Sequence, residues 1–156
     1  MSTRLTKRGT PMVESLSLNL VMISSRMNHL ISEHLANTLT NKGFPAATSS
    51  TLNFLSALEC DVNYGSEIAR KLGVSRQMVA KTVKEMVRLG YLEQLDGVGK
   101  QKQIVFTELG EQLMASARQT LAELDDLLLN EPSINNLTNT INELRTVQKI
   151  VSELID

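Results

Sequence analysis

Between Ser66 and Val83 a small residue, a glycine and a row of aliphatic residues fall into one register that few chain arrangements accept. Two short helices held at a steep angle need a small residue where they cross and, in the turn, a residue at ease in the left-handed region. Ala69 and Gly73, four apart, answer both needs. Ile68, Leu72, Val74, Val79 and Val83 then provide apolar contacts between the two helices and toward the helix before them. Ser66 and Ser75 stand where a side-chain oxygen would cap each helix, the first running to Leu72 and the second to about Leu89. Gly73 and Gly90 stand where each would stop.

The flanking sequence surrounds this unit with helices and one hairpin. From about Met12 to Leu39, Leu16, Leu20, Ile23, Met27, Leu30, Ile31 and Leu35 recur at steps of three and four, the period of one helix face. Gly43 and Pro45 end that helix. Thr48 to Ser50 offer caps for a second helix whose Leu52, Leu55 and Leu58 face inward. Beyond Gly90 two strand-like runs, Tyr91 to Leu95 and Gln103 to Phe106, flank a short polar connection holding Gly97 and Gly99, which predicts a β-hairpin. Thr107 caps a helix to roughly Leu129, with Glu108 and Glu111 near its positive end and Leu113, Ala117, Leu121, Leu124 and Leu128 on one stripe. After a break at Asn130 to Pro132, a last helix from about Ile134 to Ile155 carries a double apolar seam. The expected fold is mainly α with a small β-hairpin wing, a winged helix-turn-helix over residues 48–107 flanked by helical segments over 12–40 and 108–156.

A chain of 156 residues buries a real core but leaves no room for a second, catalytic domain. With 3% aromatic residues and no Trp, that core is aliphatic. The net charge of −1 hides a polarised chain. From Ser66 to Lys102 eight basic residues (Arg70, Lys71, Arg76, Lys81, Lys84, Arg88, Lys100, Lys102) face four acidic ones, a net of +4, while the remainder carries −5. One segment suits phosphate and the rest does not.

Other classes find little support. No run approaches the roughly 20 apolar residues of a membrane span, and Arg4, Lys7 and Arg8 are not followed by the apolar core of a secretory signal, so a cytoplasmic protein without membrane partners is expected. Cys60, the only cysteine, permits no intrachain disulfide and no multi-cysteine metal site; between Glu59 and Asp61 it is expected to serve packing rather than redox sensing. A Gly-rich phosphate loop, a His-Glu-x-x-His motif and a nucleophile elbow are all missing, and two histidines do not furnish a metal site, so neither catalysis nor a cofactor is expected.

On the second helix of the pair, burying Val79, Val83, Met86 and Val87 turns Arg76, Gln77, Ala80, Lys81 and Lys84 outward, mostly in the half that such a helix inserts into the major groove of double-stranded DNA. Arg76 and Gln77 suit bidentate contacts with base edges and Ala80 suits a thymine methyl, while Lys81, Lys84 and the helix starts at Ser66 and Ser75 suit phosphates. Lys100 and Lys102, at the expected hairpin tip, are placed for the adjacent minor groove or its phosphates. A winged-helix module for protein interaction or dimerisation, without DNA binding, is the rival reading; it would keep the apolar skeleton and dispense with the basic outward face.

The order of elements and the string Gly65-Ser66-Glu67-Ile68-Ala69, Leu72-Gly73-Val74-Ser75, Leu89-Gly90-Tyr91-Leu92-Glu93 and Phe106-Thr107-Glu108-Leu109-Gly110 resembles the multiple-antibiotic-resistance regulator (MarR) family over nearly the whole chain. The resemblance implies a homodimeric transcriptional regulator whose first helix and last two helices, here within 12–40 and 108–156, form the dimerisation layer. It also implies a small aromatic or anionic effector, toward which His29 and His34 on the first helix are the candidate residues. Met22, Met27, Met78, Met86 and Met114 are expected mainly to fill the core, with an adaptable pocket as the alternative use. Two positions depart from the family pattern: Gln94 stands where an Arg is usual, and Val98-Gly99-Lys100 replaces the wing's Asp-x-Arg. Lys is more strongly hydrated than Arg, which implies weaker dependence on A·T-rich flanks.

Overall fold

Ser15 sets where the first long helix begins. In the computed structural model, which describes residues 3–97 and 99–155, the Ser15 Oγ accepts the Leu18 amide at 3.3 Å and α1 runs Leu16–Asn41. The expected start at Met12 is corrected: Pro11–Val13 form a strand, β2, paired antiparallel with β1 (Thr3–Leu5). The turn between them is held locally, by the Thr6 amide on the Thr10 carbonyl at 2.9 Å and the Thr10 amide on the Thr6 hydroxyl at 3.0 Å. That local bonding draws Met12 and Val13 out of the helical pattern their hydrophobicity suggested.

The chain divides into two compact units, Met1–Met114 and Ala115–Asp156. In the first, α2 (Ser49–Ser56) is capped by Thr48, whose hydroxyl accepts the Thr51 amide at 3.2 Å, and buries Leu52, Phe54 and Leu55, with Leu58 buried just beyond. A two-residue strand, β3 (Asn63–Tyr64), leads directly into α3 (Gly65–Leu72), and α4 (Arg76–Arg88) follows. The expected hairpin is present as β4 (Leu92–Asp96) and β5 (Lys102–Phe106), and β3 joins it to give a three-stranded sheet in the order β3-β5-β4. Asn63 pins that third strand. Its buried side chain accepts the Glu59 amide at 2.7 Å and donates to the carbonyls of Glu59 at 2.9 Å and Ile104 at 3.3 Å.

Among the described residues the hydrophobic core of this unit is aliphatic apart from Met86 and two aromatic residues, Phe54 and Tyr91. Tyr91 is fully buried, and its hydroxyl donates to the Pro45 carbonyl, tying the loop after α1 to the start of the hairpin. Thr107 caps α5 (Glu108–Leu129) by accepting the Gly110 amide at 3.1 Å and donates to the Gly90 carbonyl. Gly110 follows because the backbone passes so closely that a Cβ there would stand 2.1 Å from the Tyr91 carbonyl oxygen.

The second unit contains the remainder of α5 and α6 (Leu137–Ser152). The last helix was expected to begin at Ile134; it begins later because Asn136 caps it, accepting the Asn139 amide at 2.8 Å, while Ile134 closes a turn onto the Glu131 carbonyl. It ends at Ser152, short of the expected Ile155. None of the residues of α6 is buried.

Candidate nucleic-acid interface

The turn between α3 and α4 has the geometry its residues demand. Gly73 sits at φ 65°, ψ 33°, its amide directed at the carbonyls of Ala69 and Arg70, and the Val74 amide closes onto the Ala69 carbonyl at 3.0 Å. Ile68 and Ala69 are buried at the crossing, whereas Leu72, expected among the contacts there, is 36% exposed. Ser66 does not cap α3. The cap is Tyr64, in extended backbone and without a side-chain bond, because the strand runs straight into the helix and leaves Ser66 inside the first turn.

Ser75 does cap α4, its Oγ accepting the Met78 amide at 3.1 Å. Val79, Val83 and Met86 face the core; Val87, expected beside them, falls at the margin and is 39% exposed. This orientation leaves Arg76, Gln77, Ala80, Lys81 and Lys84 exposed. Ser66, Arg76, Ala80, Gln94, Gln101 and Lys102 line a groove between α4 and the hairpin, and Ser66, Glu67, Arg70, Arg76 and Gln101 line the adjoining hollow beside α3. Ser66, Arg76 and Gln101 are thus shared by both. Gln101 was not anticipated, since only the pairing of β4 with β5 brings it opposite α4.

The hairpin differs from expectation in one respect. Lys100 lies in its turn, but Lys102 is the first residue of β5, opposite Asp96, and so stands on the strand rather than at the tip. Val98, named among the wing departures, lies outside the described residues.

Two of the eight cations of the basic segment are held by acids of their own chain. Lys71 donates to Glu59 at 2.7 Å, and this hydrogen bond holds the Glu59 carboxyl below its usual range. Arg88 grips Glu85 with two bonds at 2.8 and 2.6 Å, lowering that carboxyl and raising the guanidinium. Among the described residues Arg70, Arg76, Lys81, Lys84, Lys100 and Lys102 make no ion pair. Six cations from α3, α4 and the hairpin therefore remain available to an anion.

Elsewhere, His29 lies 3.5 Å from Glu33 and lines a concavity of about 520 Å³ along α1 and the start of α2, with Glu33, Asn37, Thr40, Thr48 and Ser49. His34 is exposed and takes no part in that lining. Of the five methionines expected mainly in the core, only Met86 is buried; Met114 is half-buried and Met22, Met27 and Met78 are exposed. Cys60, expected to pack, is exposed, because the turn between α2 and β3 is closed through Asn63 and leaves the thiol outside. No group of three or more metal-ligating side chains occurs among the described residues, and none of the described helices is long and apolar enough to cross a membrane.

No family model and no curated protein matches this chain. Solved structures do. A MarR-family transcriptional regulator from Rhodococcus sp. RHA1 superposes with a TM-score of 0.62 at 17% identity, covering 88% of this chain and 96% of its own. The fold is that of MarR-family transcriptional regulators. The S. aureus MepR–DNA complex shares this MarR fold with a TM-score of 0.61 at 19% identity, over 91% of this chain and 99% of that one. The organohalide-sensing regulator RdhR, solved with bound 2,4-dichlorophenol, reaches 0.67 at 14% identity over 90% of this chain and 82% of its own. Within the MarR fold, α3 and α4 are the helix-turn-helix and β4 with β5 the wing.

Proposed function

We propose that this chain is a sequence-specific regulator of transcription that binds double-stranded DNA as a homodimer on a roughly palindromic site. The observation that carries the reading is the exposed face of α4. Its start is capped by Ser75, its inner side is fixed by Val79, Val83 and Met86, and Arg76, Gln77, Lys81 and Lys84 stand free on the other side. In a helix-turn-helix this end meets base edges and phosphates. Arg76 and Gln77 are assigned to bases; Lys81, Lys84, Ser66 and Ser75 to the backbone; and Lys100 and Lys102 to the wing's contacts. The similar MepR structure is a DNA complex, which supports the same reading.

Exposed apolar residues on α1, including Leu16, Leu18, Val21 and Ile23, and on α6, including Ile141, Ile150 and Val151, support the homodimer. In this reading residues 12–40 and 108–156 supply the dimer contacts and 48–107 the DNA-reading lobe. Two-fold symmetry then sets two α4 helices about one turn of DNA apart. The concavity beside His29 supports a small aromatic or anionic effector that releases DNA, in keeping with the ligand-bound RdhR structure. A cytoplasmic location and a non-catalytic role belong to the same reading.

A salt titration of binding to duplex DNA tests it. Affinity is expected to fall linearly on logarithmic axes with a slope of about −0.9 per neutralised phosphate. A chain that binds no duplex at low salt would instead be a protein-interaction module.

A further inference from the structure

Met78 is the one long apolar side chain exposed on the first two turns of α4, at 57%, where core filling was expected. Its backbone is fixed on both sides: the amide donates to the Ser75 Oγ at 3.1 Å and the carbonyl accepts the Thr82 hydroxyl at 3.0 Å. Lys81 and Thr82, three and four residues on, share its face of the helix. Ala80, to which the sequence assigned thymine, lines the groove shared with Gln94, Gln101 and Lys102, and Met78 takes no part in that groove.

We propose that Met78 is a specificity-determining residue that reads the 5-methyl group of a thymine in the major groove; this rests on the DNA-binding reading above. A single exposed apolar side chain on an idle surface calls for no explanation. Here it stands in the half of a helix that enters a groove whose base edges offer hydrogen-bond donors, acceptors and one apolar group, the thymine methyl. Methionine suits that target. Its thioether is polarisable and its three rotatable bonds let it follow a methyl whose position is set by contacts made elsewhere on the helix. Gln77 and Lys81 beside it fix the register, and Met78 separates thymine from cytosine, which lacks the methyl.

The test begins with duplexes selected by the full chain from a random pool. In the selected site each thymine is replaced in turn, once per half-site, by deoxyuridine, which removes only the methyl. At one thymine the wild-type chain is expected to lose about fourfold in affinity per half-site, the equivalent of about 0.8 kcal/mol for one buried methyl. Met78→Ala should bind the thymine duplex more weakly and show no further loss on deoxyuridine, whereas Met78→Leu should keep the discrimination. Equal thermal melting of the three proteins confirms that folding is not the cause. An undiminished deoxyuridine penalty in Met78→Ala, or a wild-type chain indifferent to every thymine methyl while still binding its site, overturns the assignment to Met78 and leaves the DNA-binding reading intact. A wild-type chain that binds no duplex overturns both.

Discussion

The side-chain amide of Asn63 donates to the Ile104 carbonyl from within the core, 3.3 Å away, while the same side chain closes the turn back to Glu59 with two further bonds. This side-chain bond adds to the backbone pairing of Asn63 with Ile104 and of Tyr64 with Gln103 that joins β3 to the wing. Replacing Asn63 with Leu leaves the Ile104 carbonyl without this partner inside the core, and the Glu59 amide and carbonyl without theirs in a partly buried turn. Each typical bond contributes about 1 kcal/mol and each orphaned group costs more, so a loss of about 3 kcal/mol is expected in urea denaturation. An effect below about 1 kcal/mol would mean that water satisfies those groups.

Gly110→Ala tests which of two opposed effects is larger. Inside a helix the change ordinarily stabilises by about 1 kcal/mol. Here the added Cβ would stand 2.1 Å from the Tyr91 carbonyl oxygen and 3.0 Å from the Phe106 ring, and backbone cannot withdraw as a flexible side chain can. Overpacking of this kind costs about 1–3 kcal/mol or more, so the variant should melt below the wild type. A rise in melting temperature would show that α5 shifts freely against the hairpin.

Lys71 and Lys84 lie close in sequence and should behave differently on DNA. Lys84→Ala should reduce the magnitude of the salt slope by about 0.9, the loss of one phosphate contact. Lys71→Ala should leave it unchanged, since Glu59 already holds that ammonium. The Glu59 carboxyl is lowered by the pair, so the pair's contribution is complete above the unfolded carboxyl value and is lost as the pH falls through the folded one. Glu59→Gln releases Lys71 at any pH, and a steeper salt slope in that variant is the expected reading.

Burial raises the Tyr91 phenol above its ordinary value. The fold favours the protonated form, so this contribution to stability is full below the unfolded phenol value and disappears as the pH rises through the folded one. Tyr91→Phe should cost about 1 kcal/mol at neutral pH, the loss of the bond to Pro45, and should flatten the alkaline decline of the urea midpoint. An unaltered alkaline decline would assign it to another group.

Much of the fold was legible in single residues because capping is a local event. Thr48, Ser75 and Thr107 each accept an amide three residues on, and Gly73 takes the left-handed turn its position demanded. Ser66 misled because capping also depends on what precedes the helix, and a two-residue strand is too short to show an alternating pattern. The N-terminal hairpin escaped for the same reason, its strands being three residues each and its stability residing in the Thr6 turn. At the interface, the outward set on α4 followed from helical period alone, whereas Gln101 depended on strand pairing and the captive state of Lys71 on a contact twelve residues away. Met78 and Cys60 show the limit of composition: a residue type favoured in cores is placed by its neighbours, and here by Ser75 and Asn63.

The first half of α1 has an implication for how the chain folds. From Leu16 to Leu30 every residue but Leu20 is exposed, so this stretch of helix has little tertiary packing to hold it. A helix of about 15 residues is marginal in water on its own. Its order therefore depends on a surface that covers Val21, Ile23 and their neighbours, and in the proposed homodimer the gain of helix there and association are one coupled transition. Dilution should then be visible as a loss of helical signal before the lobe containing Tyr91 gives way.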